Sequence, residues 1–183
     1  MVNMLLTYRD CRERFGKPYQ IDGAVADGRL RKIEPGIYSD GGNPSELAVI
    51  QFKYPKGILA FESAYLYYDL TDYIPERYAL ATPANATAIR DSRVKQYYVP
   101  KRIYALGITE IAKGGDRIRI YDRERVLVDT ARMKNLMAVD LYKEVIGNFR
   151  KRIAELDPTK IADYLEQFPK RSMIERIIDE EVF

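Results

Sequence analysis

The sequence predicts an α+β fold, with a small N-terminal winged helix-turn-helix followed by a mixed α/β domain that has a short antiparallel sheet and C-terminal helices. Three observations predict this class. Two short helical patterns and a hairpin pattern occupy the first forty residues, strand-like segments fill the middle, and amphipathic helical patterns fill the last part. Residues 39–43, rich in Gly, Ser, Asp and Asn, form the best linker, so we predict domains at residues 1–40 and 44–183.

The first helical pattern runs from Thr7 to Phe15. Thr7 is a suitable N-cap, Asp10 stands three residues later as a capping box requires, and Gly16 follows the last position. A second pattern begins at Pro18, a residue suited to the first turn of a helix.

The second helical pattern has Ile21 and Val25 on its inward face and stops at Gly28. Residues 29–33 and 37–38 then alternate on either side of Pro35-Gly36, a pair that favours a type II turn. We therefore expect a compact hairpin directly after the second helix.

The middle of the chain predicts two helices and then strands. Asn43 is predicted to cap a helix with Pro44 at its first position, and residues 59–70 are predicted to form a helix whose aromatic residues favour a core role over base stacking. Strand-like segments follow at residues 78–82, 95–99, 103–106, 108–111 and 117–121. A hairpin turn is predicted at residues 114–116.

The last part of the chain is predicted to be helical. Asp122 is a predicted N-cap, and Arg125 and Asp129 in the helix after it have the i, i+4 spacing of a pair. We interpret the carboxylates of Asp122 and Glu124 as groups that cap the helix and pair at the surface. Metal binding or acid–base chemistry is the less favoured interpretation, because no third ligand is identifiable near them. Further helices are predicted at residues 140–153, 158–168 and 172–181, the second of them capped by Asp157.

The composition excludes several kinds of active site. The chain has 183 residues, with 46% hydrophobic residues, one cysteine and no histidine. It can build a core, but it cannot form an internal disulfide, a Ser-His-Asp triad, a Cys-His dyad or a zinc site of the usual kind. We therefore expect a binding protein rather than an enzyme, with no cofactor and no metal ion.

The order helix, turn, helix and basic hairpin is typical of a winged helix-turn-helix. In that arrangement the second helix can enter the major groove of DNA and the hairpin can contact phosphates. A helical cap with a solvated hairpin would have the same pattern, so both interpretations stay open. The candidate DNA-binding residues are Lys17, Tyr19, Gln20, Arg29, Arg31 and Lys32.

Charge is distributed unevenly along the chain. Residues 86–134 contain 12 basic and 6 acidic residues, whereas residues 154–183 contain 4 basic and 8 acidic residues. The basic segment predicts an alternative function, a surface that engages an acidic protein or RNA while the N-terminal unit is only structural. The candidate residues of this surface are Arg90, Arg93, Lys95, Lys101, Arg102, Arg117 and Arg119.

Two stretches of the sequence resemble the AbiEi family, the antitoxins of type IV toxin–antitoxin systems. Residues 28–38, GRLRKIEPGIY, are similar to the family's G-x-L-x-x-h-x-x-G-h-Y wing, and residues 120–129, IYDRERVLVD, are similar to the strand-to-helix turn of its antitoxin domain. The order of elements also resembles the family over nearly the whole chain. Family members often have another helix before the pair, whereas here only residues 1–6 precede Thr7, so we expect a shortened winged unit.

The resemblance implies two roles. The winged unit would bind the promoter of its own operon and repress it, and the second domain would counteract a nucleotidyltransferase-like toxin without a stable complex being required. No catalytic residue is implied. We expect a cytoplasmic protein with no membrane partner, since no segment has the ~18 to 20 apolar residues of a membrane span and residues 1–7 lack the pattern of a signal peptide.

Overall fold

The computed structural model describes residues 4–183, and these divide into two compact units. The first comprises the described residues up to Pro55 together with Ile111–Ile118, and the second comprises Lys56–Glu110 and Arg119–Phe183. The predicted linker at residues 39–43 therefore lies inside the first unit. The prediction that residues 1–7 are not a signal peptide falls partly outside the described residues, since these begin at residue 4.

The first unit has the strand and helix order of a winged helix-turn-helix. Its elements are β1 (Leu5–Thr7), α1 (Tyr8–Phe15), α2 (Pro18–Ala26), β2 (Arg31–Glu34), β3 (Ile37–Ser39) and α3 (Glu46–Lys53). The strands form an antiparallel sheet in the order β1-β3-β2. The sequence predicted no element before Thr7, so β1 is an addition that completes the sheet.

Local chemistry explains the two predicted helices. The Thr7 hydroxyl accepts a hydrogen bond from the Asp10 backbone N–H, while the Asp10 carboxylate accepts one from the Thr7 N–H, and α1 ends at Gly16. In α2 the inward residues are Ile21 and Ala24, both buried, whereas Val25, predicted to face inward, is only partly buried. The buried cluster beneath the helices comprises Leu6, Cys11, Ile21, Ala24, Leu30 and Tyr38.

The hairpin also forms as predicted. Gly36 has a φ of +80°, the left-handed value that the third position of a type II turn requires and that glycine adopts without steric cost. The register pairs Lys32 with Tyr38 and then shifts, so that Glu34 lies opposite Ile37. The connection between the paired residues is therefore only Pro35-Gly36, and Ile33 is the extra residue of the irregularity.

The start of α3 differs from the prediction. The N-cap is Ser45, whose hydroxyl accepts a hydrogen bond from the Ala48 N–H, and not Asn43. The side-chain oxygen of Asn43 instead accepts a hydrogen bond from Arg31 at 2.6 Å. The Ser45 N–H donates to the Asp116 carboxylate at 2.7 Å, which anchors residues 111–118 within the first unit.

The remaining residues form a mixed sheet and a set of helices. In chain order they are β4 (Ile58–Leu59), α4 (Phe61–Tyr67), β5 (Tyr78–Pro83), β6 (Val94–Val99), α5 (Lys101–Tyr104), β7 (Ile108–Lys113), β8 (Asp116–Tyr121), α6 (Arg123–Met133), α7 (Val139–Lys151), α8 (Pro158–Gln167) and α9 (Arg171–Glu181). The strand order is β6-β5-β4-β8-β7. β4 pairs antiparallel with β5, whereas β5 with β6 and β4 with β8 are parallel. The mixed α/β class with C-terminal helices is thus confirmed.

One element prediction had wrong bounds and another was wrong. The helix predicted at residues 59–70 forms as α4, but Leu59 belongs to strand β4, because it pairs with β5 on one side and with β8 on the other. The strand predicted at residues 103–106 is the short helix α5, which buries Ile103. In both places the tertiary environment overrides a short apolar pattern that suits either structure.

Helix α6 is buried along most of its length, and its predicted pair lies in the core. Asp122 caps the helix by accepting from the Arg125 N–H at 2.9 Å, as predicted. Arg125 is fully buried and pairs with Asp129 at 2.9 Å. Glu124 pairs as predicted, with the half-exposed Lys160 at 4.0 Å. The Glu124 side chain itself is buried, however, and its carboxylate also accepts a hydrogen bond from the Asp157 N–H at 3.0 Å.

Candidate functional site

The predicted DNA-contacting residues of α2 lie at its exposed beginning. Lys17 is exposed and directly precedes the helix, and Tyr19 is 68% exposed in its first turn. Gln20 is exposed, but its side-chain oxygen accepts a hydrogen bond from the Lys17 backbone N–H at 2.7 Å. Gln20 therefore caps the N-terminal end of α2 with its side-chain oxygen. Its side-chain NH₂ group remains able to donate a hydrogen bond to a base edge.

The three predicted cations after α2 are exposed as well, but their surroundings differ. Arg29 forms an ion pair with Asp27 at 2.9 Å, and both side chains are more than half exposed. Arg31 donates to Asn43, which restrains the guanidinium without neutralising it. Lys32 makes no ion pair with any residue of the described chain.

Acidic residues reduce the positive charge of this face. Asp22 is exposed on α2, three residues after Tyr19, and Asp27 already neutralises Arg29. Lys17, Arg31 and Lys32 remain as cations without an ion-pair partner among residues 4–183, and these are the groups able to replace counterions on a phosphate backbone. We call Lys17, Tyr19, Gln20, Arg29, Arg31 and Lys32 the α2–β2 face.

The second basic surface is weaker than its sequence indicates. Arg93 forms a two-point ion pair with Asp91, at 2.9 and 2.7 Å, and Lys95 pairs with Glu62 at 2.7 Å. Four of its other members are exposed: Arg90, Lys101, Arg102 and Arg117. Arg119, the seventh, is half-buried in β8. Arg117 belongs to the first unit and the other six to the second, so this set is divided between the two units.

The second unit contains a cavity that the sequence did not predict. It has a volume of about 690 Å³ and is lined by residues of α4, β6 and α7 and of the segments between them. We call it the α4–α7 cavity. Its aromatic lining comprises Phe61, Tyr65, Tyr73 and Tyr97, and its aliphatic lining comprises Met133, Leu136, Met137, Ala138 and Leu141. This volume lies within the range of small-ligand sites in proteins.

One wall of the α4–α7 cavity carries a connected polar group. The Glu62 carboxylate accepts hydrogen bonds from the Lys95 ammonium at 2.7 Å and from the Tyr97 hydroxyl at 2.7 and 2.9 Å. Burial opposes ionisation of Glu62, but these bonds outweigh it, and the pKa of Glu62 lies below its ordinary value. Burial raises the pKa of Tyr97 to about 12, so the Tyr97 hydroxyl stays protonated and donates.

The lining of the cavity includes two further carboxylates, both from α7. Asp140 lies in the first turn, and Glu144 stands one turn later on the same side. Glu144 accepts hydrogen bonds from the Thr71 hydroxyl at 2.9 Å and from the Asp72 N–H at 3.1 Å. Both side chains are exposed, and no cation of the described residues lies within ion-pair distance of either carboxylate, so no ion pair compensates them.

Sequence reasoning missed this cavity because its walls come from segments far apart in the chain. The only available signal was the density of tyrosine and phenylalanine at residues 61–68, which favours a core role. Among residues 4–183 no cluster of three or more potential metal ligands is present. Within the same range no helix is long and apolar enough to cross a membrane.

Comparison with known proteins supports the fold and goes no further. No family model matches the chain, and no curated protein does. The crystal structure of the Rv2827c protein from Mycobacterium tuberculosis is similar, with a TM-score of 0.61 and 15% sequence identity over 97% of this chain and 72% of that one. An identity this low shows a shared fold, and function has to be argued from the sites.

Proposed function

We propose that this protein is an autoregulatory antitoxin of the AbiEi kind, which binds the promoter of its own operon through the α2–β2 face and counteracts a nucleotidyltransferase-like toxin. The observation that carries the DNA-binding half is the winged helix-turn-helix order of the first unit, with an exposed α2 followed by cations on β2. A helix of this kind fits the major groove, and the cations beside it fit the adjacent phosphates.

The structure gives physical roles to the residues of the wing motif. Leu30, Ile37 and Tyr38 are buried, and Gly28 and Gly36 both have positive φ values. The motif positions therefore hold the hairpin against α2, and the variable positions between them, Arg31 and Lys32, point their charge to solvent. A scaffold with interchangeable exposed residues is what operator recognition by different family members would need.

Edge protection is the competing explanation for the cations of β2. β2 is an edge strand of its sheet, and lysine and arginine on an edge strand prevent unwanted strand pairing. The two explanations differ in what happens when the cations are removed. Loss of edge protection favours self-association, whereas loss of phosphate contacts weakens DNA binding in a protein that stays monodisperse.

The DNA-binding half is tested by gel-shift titration of the full chain against the duplex that precedes its own coding sequence. We expect Arg31→Ala with Lys32→Ala to weaken binding to every duplex tested, because phosphate contacts carry no sequence information. The matched control is Arg77→Ala with Lys143→Ala, which removes two exposed cations of the second unit. If both double variants bind DNA like the wild type, the α2–β2 face is not the DNA-binding surface.

The antitoxin half is tested in cells by co-expression with the adjacent open reading frame. We expect that frame to encode a nucleotidyltransferase-like protein whose toxicity is relieved by this chain, with or without the two β2 substitutions. Rescue by the β2 variant would separate antitoxin action from promoter binding. A neighbouring protein of another kind, or no relief of toxicity, would contradict this half of the proposal.

The alternative proposal is a protein- or RNA-interaction module that uses the basic surface of residues 90–119. Its support is weaker because Asp91 and Glu62 neutralise two of its seven cations. The observation that favours it is the exposed pair Lys101 and Arg102 on α5. Substituting both with alanine would abolish RNA or partner binding under this alternative and would leave promoter binding unchanged under the first.

A further inference from the structure

We propose that the α4–α7 cavity is a binding site for an organic cation, an ammonium or guanidinium group carried on an apolar or aromatic body. The proposal is independent of the DNA-binding and antitoxin roles. It rests on three features of the cavity: aromatic rings, uncompensated carboxylates and an exposed apolar rim.

The rings provide the first argument. Phe61 and Tyr97 lie with their ring centroids 4.3 Å apart on one wall, and Tyr65 and Tyr73 also line the cavity. Faces of aromatic rings attract cations, and tyrosine is among the residues that do so best. The site already contains one such contact, since the Lys95 ammonium lies 4.9 Å from the centroid of the Tyr97 ring.

The backbone at Phe61 supports a functional role for this wall. Phe61 has a φ of +45°, in the left-handed region that a bulky residue rarely adopts. A strained conformation persists where the surrounding structure imposes it, and such residues concentrate at binding sites. Here the strain accompanies the placement of the Phe61 ring against Tyr97 at the first position of α4.

The charges provide the second argument. Four charged groups line the cavity: the carboxylates of Glu62, Asp140 and Glu144, and the ammonium of Lys95. Lys95 and Glu62 neutralise each other at 2.7 Å. The two α7 carboxylates are left without a counterion among the described residues, so the cavity favours a cation and disfavours phosphates and carboxylates.

The rim provides the third argument. Two lining residues, Leu136 and Tyr73, are 77% and 52% exposed. Ile74, 76% exposed, follows Tyr73 in the chain, and Val139, 64% exposed, lies between the lining residues Ala138 and Asp140. Exposed apolar side chains gathered around a concave site mark a surface that becomes covered when a ligand binds. The ligand therefore needs an apolar body in addition to its charge.

Methionine methyl NMR on the full chain tests the site directly. Met133 and Met137 line the cavity, whereas Met173 lies on α9 and Met4 lies in the first unit. In a protein labelled with ¹³C at its methionine methyls, phenethylammonium should shift the Met133 and Met137 signals in a saturable way and leave those of Met4 and Met173 in place. Neutral 2-phenylethanol should bind at least about tenfold more weakly, and phenylacetate should not bind, since each lacks the charge that the carboxylates attract.

Substitutions assign the charge effect to α7. Asp140→Asn should weaken phenethylammonium binding about threefold, and Asp140→Asn with Glu144→Gln about tenfold, which is the scale of exposed charge pairs. The matched control is Asp163→Asn with Asp179→Asn, which removes two exposed carboxylates of α8 and α9 and should change nothing. Asp140 makes no side-chain hydrogen bond within the described residues, so the single variant keeps the test valid if the double variant fails to fold.

A second probe distinguishes the two sources of such a cation. The capped peptide acetyl-Phe-Arg-Gly-amide should bind more tightly than phenethylammonium if the natural ligand is a protein segment, and more weakly if it is a free amine. Either order supports the site. Equal binding of phenethylammonium and 2-phenylethanol, unmoved Met133 and Met137 signals, or an unchanged affinity in the double variant would overturn it.

Discussion

The buried pair of Arg125 and Asp129 makes the fold sensitive to the loss of a single charge. We predict that Asp129→Asn strongly destabilises the second unit at neutral pH. The guanidinium of Arg125 is 0% exposed and would keep its positive charge in the core after removal of Asp129, its one carboxylate partner among residues 4–183. A buried charge without a counterion is far more costly than an exposed one.

The magnitude follows from the contacts that remain. Breaking a buried ion pair by removing one partner typically costs about 3–5 kcal/mol. Arg125 would still donate to the carbonyl oxygens of Ile103 and Leu106, and its guanidinium carbon would still lie 4.3 Å from the centroid of the Tyr121 ring. These contacts place the expected loss near the lower end of that range, at about 3 kcal/mol.

Urea denaturation followed by circular dichroism measures this loss as a change in the midpoint at constant slope. The matched control is Glu180→Gln, which removes the carboxylate of an exposed i, i+4 pair with Arg176 in the same unit. An exposed helical pair of this spacing contributes about 0.3–0.5 kcal/mol, so the control should shift the midpoint only slightly. A loss below about 1 kcal/mol for Asp129→Asn would refute the reasoning that Arg125 depends on this carboxylate.

Three further perturbations have defined outcomes. Gly107→Ala should destabilise the second unit by about 3 kcal/mol in urea, because Gly107 has a φ of +73° and a Cβ there would lie 2.6 Å from the Arg125 Cβ; an unchanged midpoint would contradict that close approach. Gly23→Ala should raise the melting temperature and increase the free energy of unfolding by about 0.5–1 kcal/mol, because alanine favours a helix over glycine and the added Cβ would meet no atom within 4 Å. A loss of stability would be inconsistent with a regular helix at this position. Glu62→Gln should lower the free energy of unfolding at pH 7, because the pKa of Glu62 is lowered in the folded state. The difference in free energy of unfolding between variant and wild type should shrink as the pH falls below about 4.3 and through the folded-state pKa. A difference that stays constant on acidification would show that the Glu62 charge contributes nothing to stability.

Local chemistry made much of the fold predictable from the sequence. The caps Thr7, Asp122 and Asp157 each accept hydrogen bonds from the first turn of the helix that follows them, and the i, i+4 spacing of Arg125 and Asp129 reports a real pair. Each of these features depends on residues within five positions of one another. A single sequence contains that information in full.

The strands that the sequence did not predict, β4 and β1, depend on partners far away in the chain. Ile58 and Leu59 form a strand only because β5 and β8 flank them, and the segment that contains them is equally suited to a helix when considered alone. β1 is too short for a periodic pattern and is defined by its pairing with β3. Pairings of this kind are set by tertiary packing and are not encoded in local periodicity.

The candidate sites also differ in how far local sequence predicts them. All six predicted residues of the α2–β2 face are exposed, because the order of short elements places them there. The ion pair of Lys95 was not predictable, because its partner Glu62 lies 33 positions earlier in the chain. The pair of Arg93 with Asp91 is local, two positions apart, and sequence reasoning missed it. The α4–α7 cavity was missed because Phe61 and Glu144 are far apart in the chain.

The salt dependence of DNA binding tests the central claim most directly. In a plot of log affinity against log salt concentration, each phosphate contact contributes about 0.9 to the negative slope. We predict that Arg31→Ala with Lys32→Ala reduces the magnitude of the slope by about two, while Arg77→Ala with Lys143→Ala leaves it unchanged. An identical slope for the wild type and the β2 variant would contradict the claim that the α2–β2 face binds DNA.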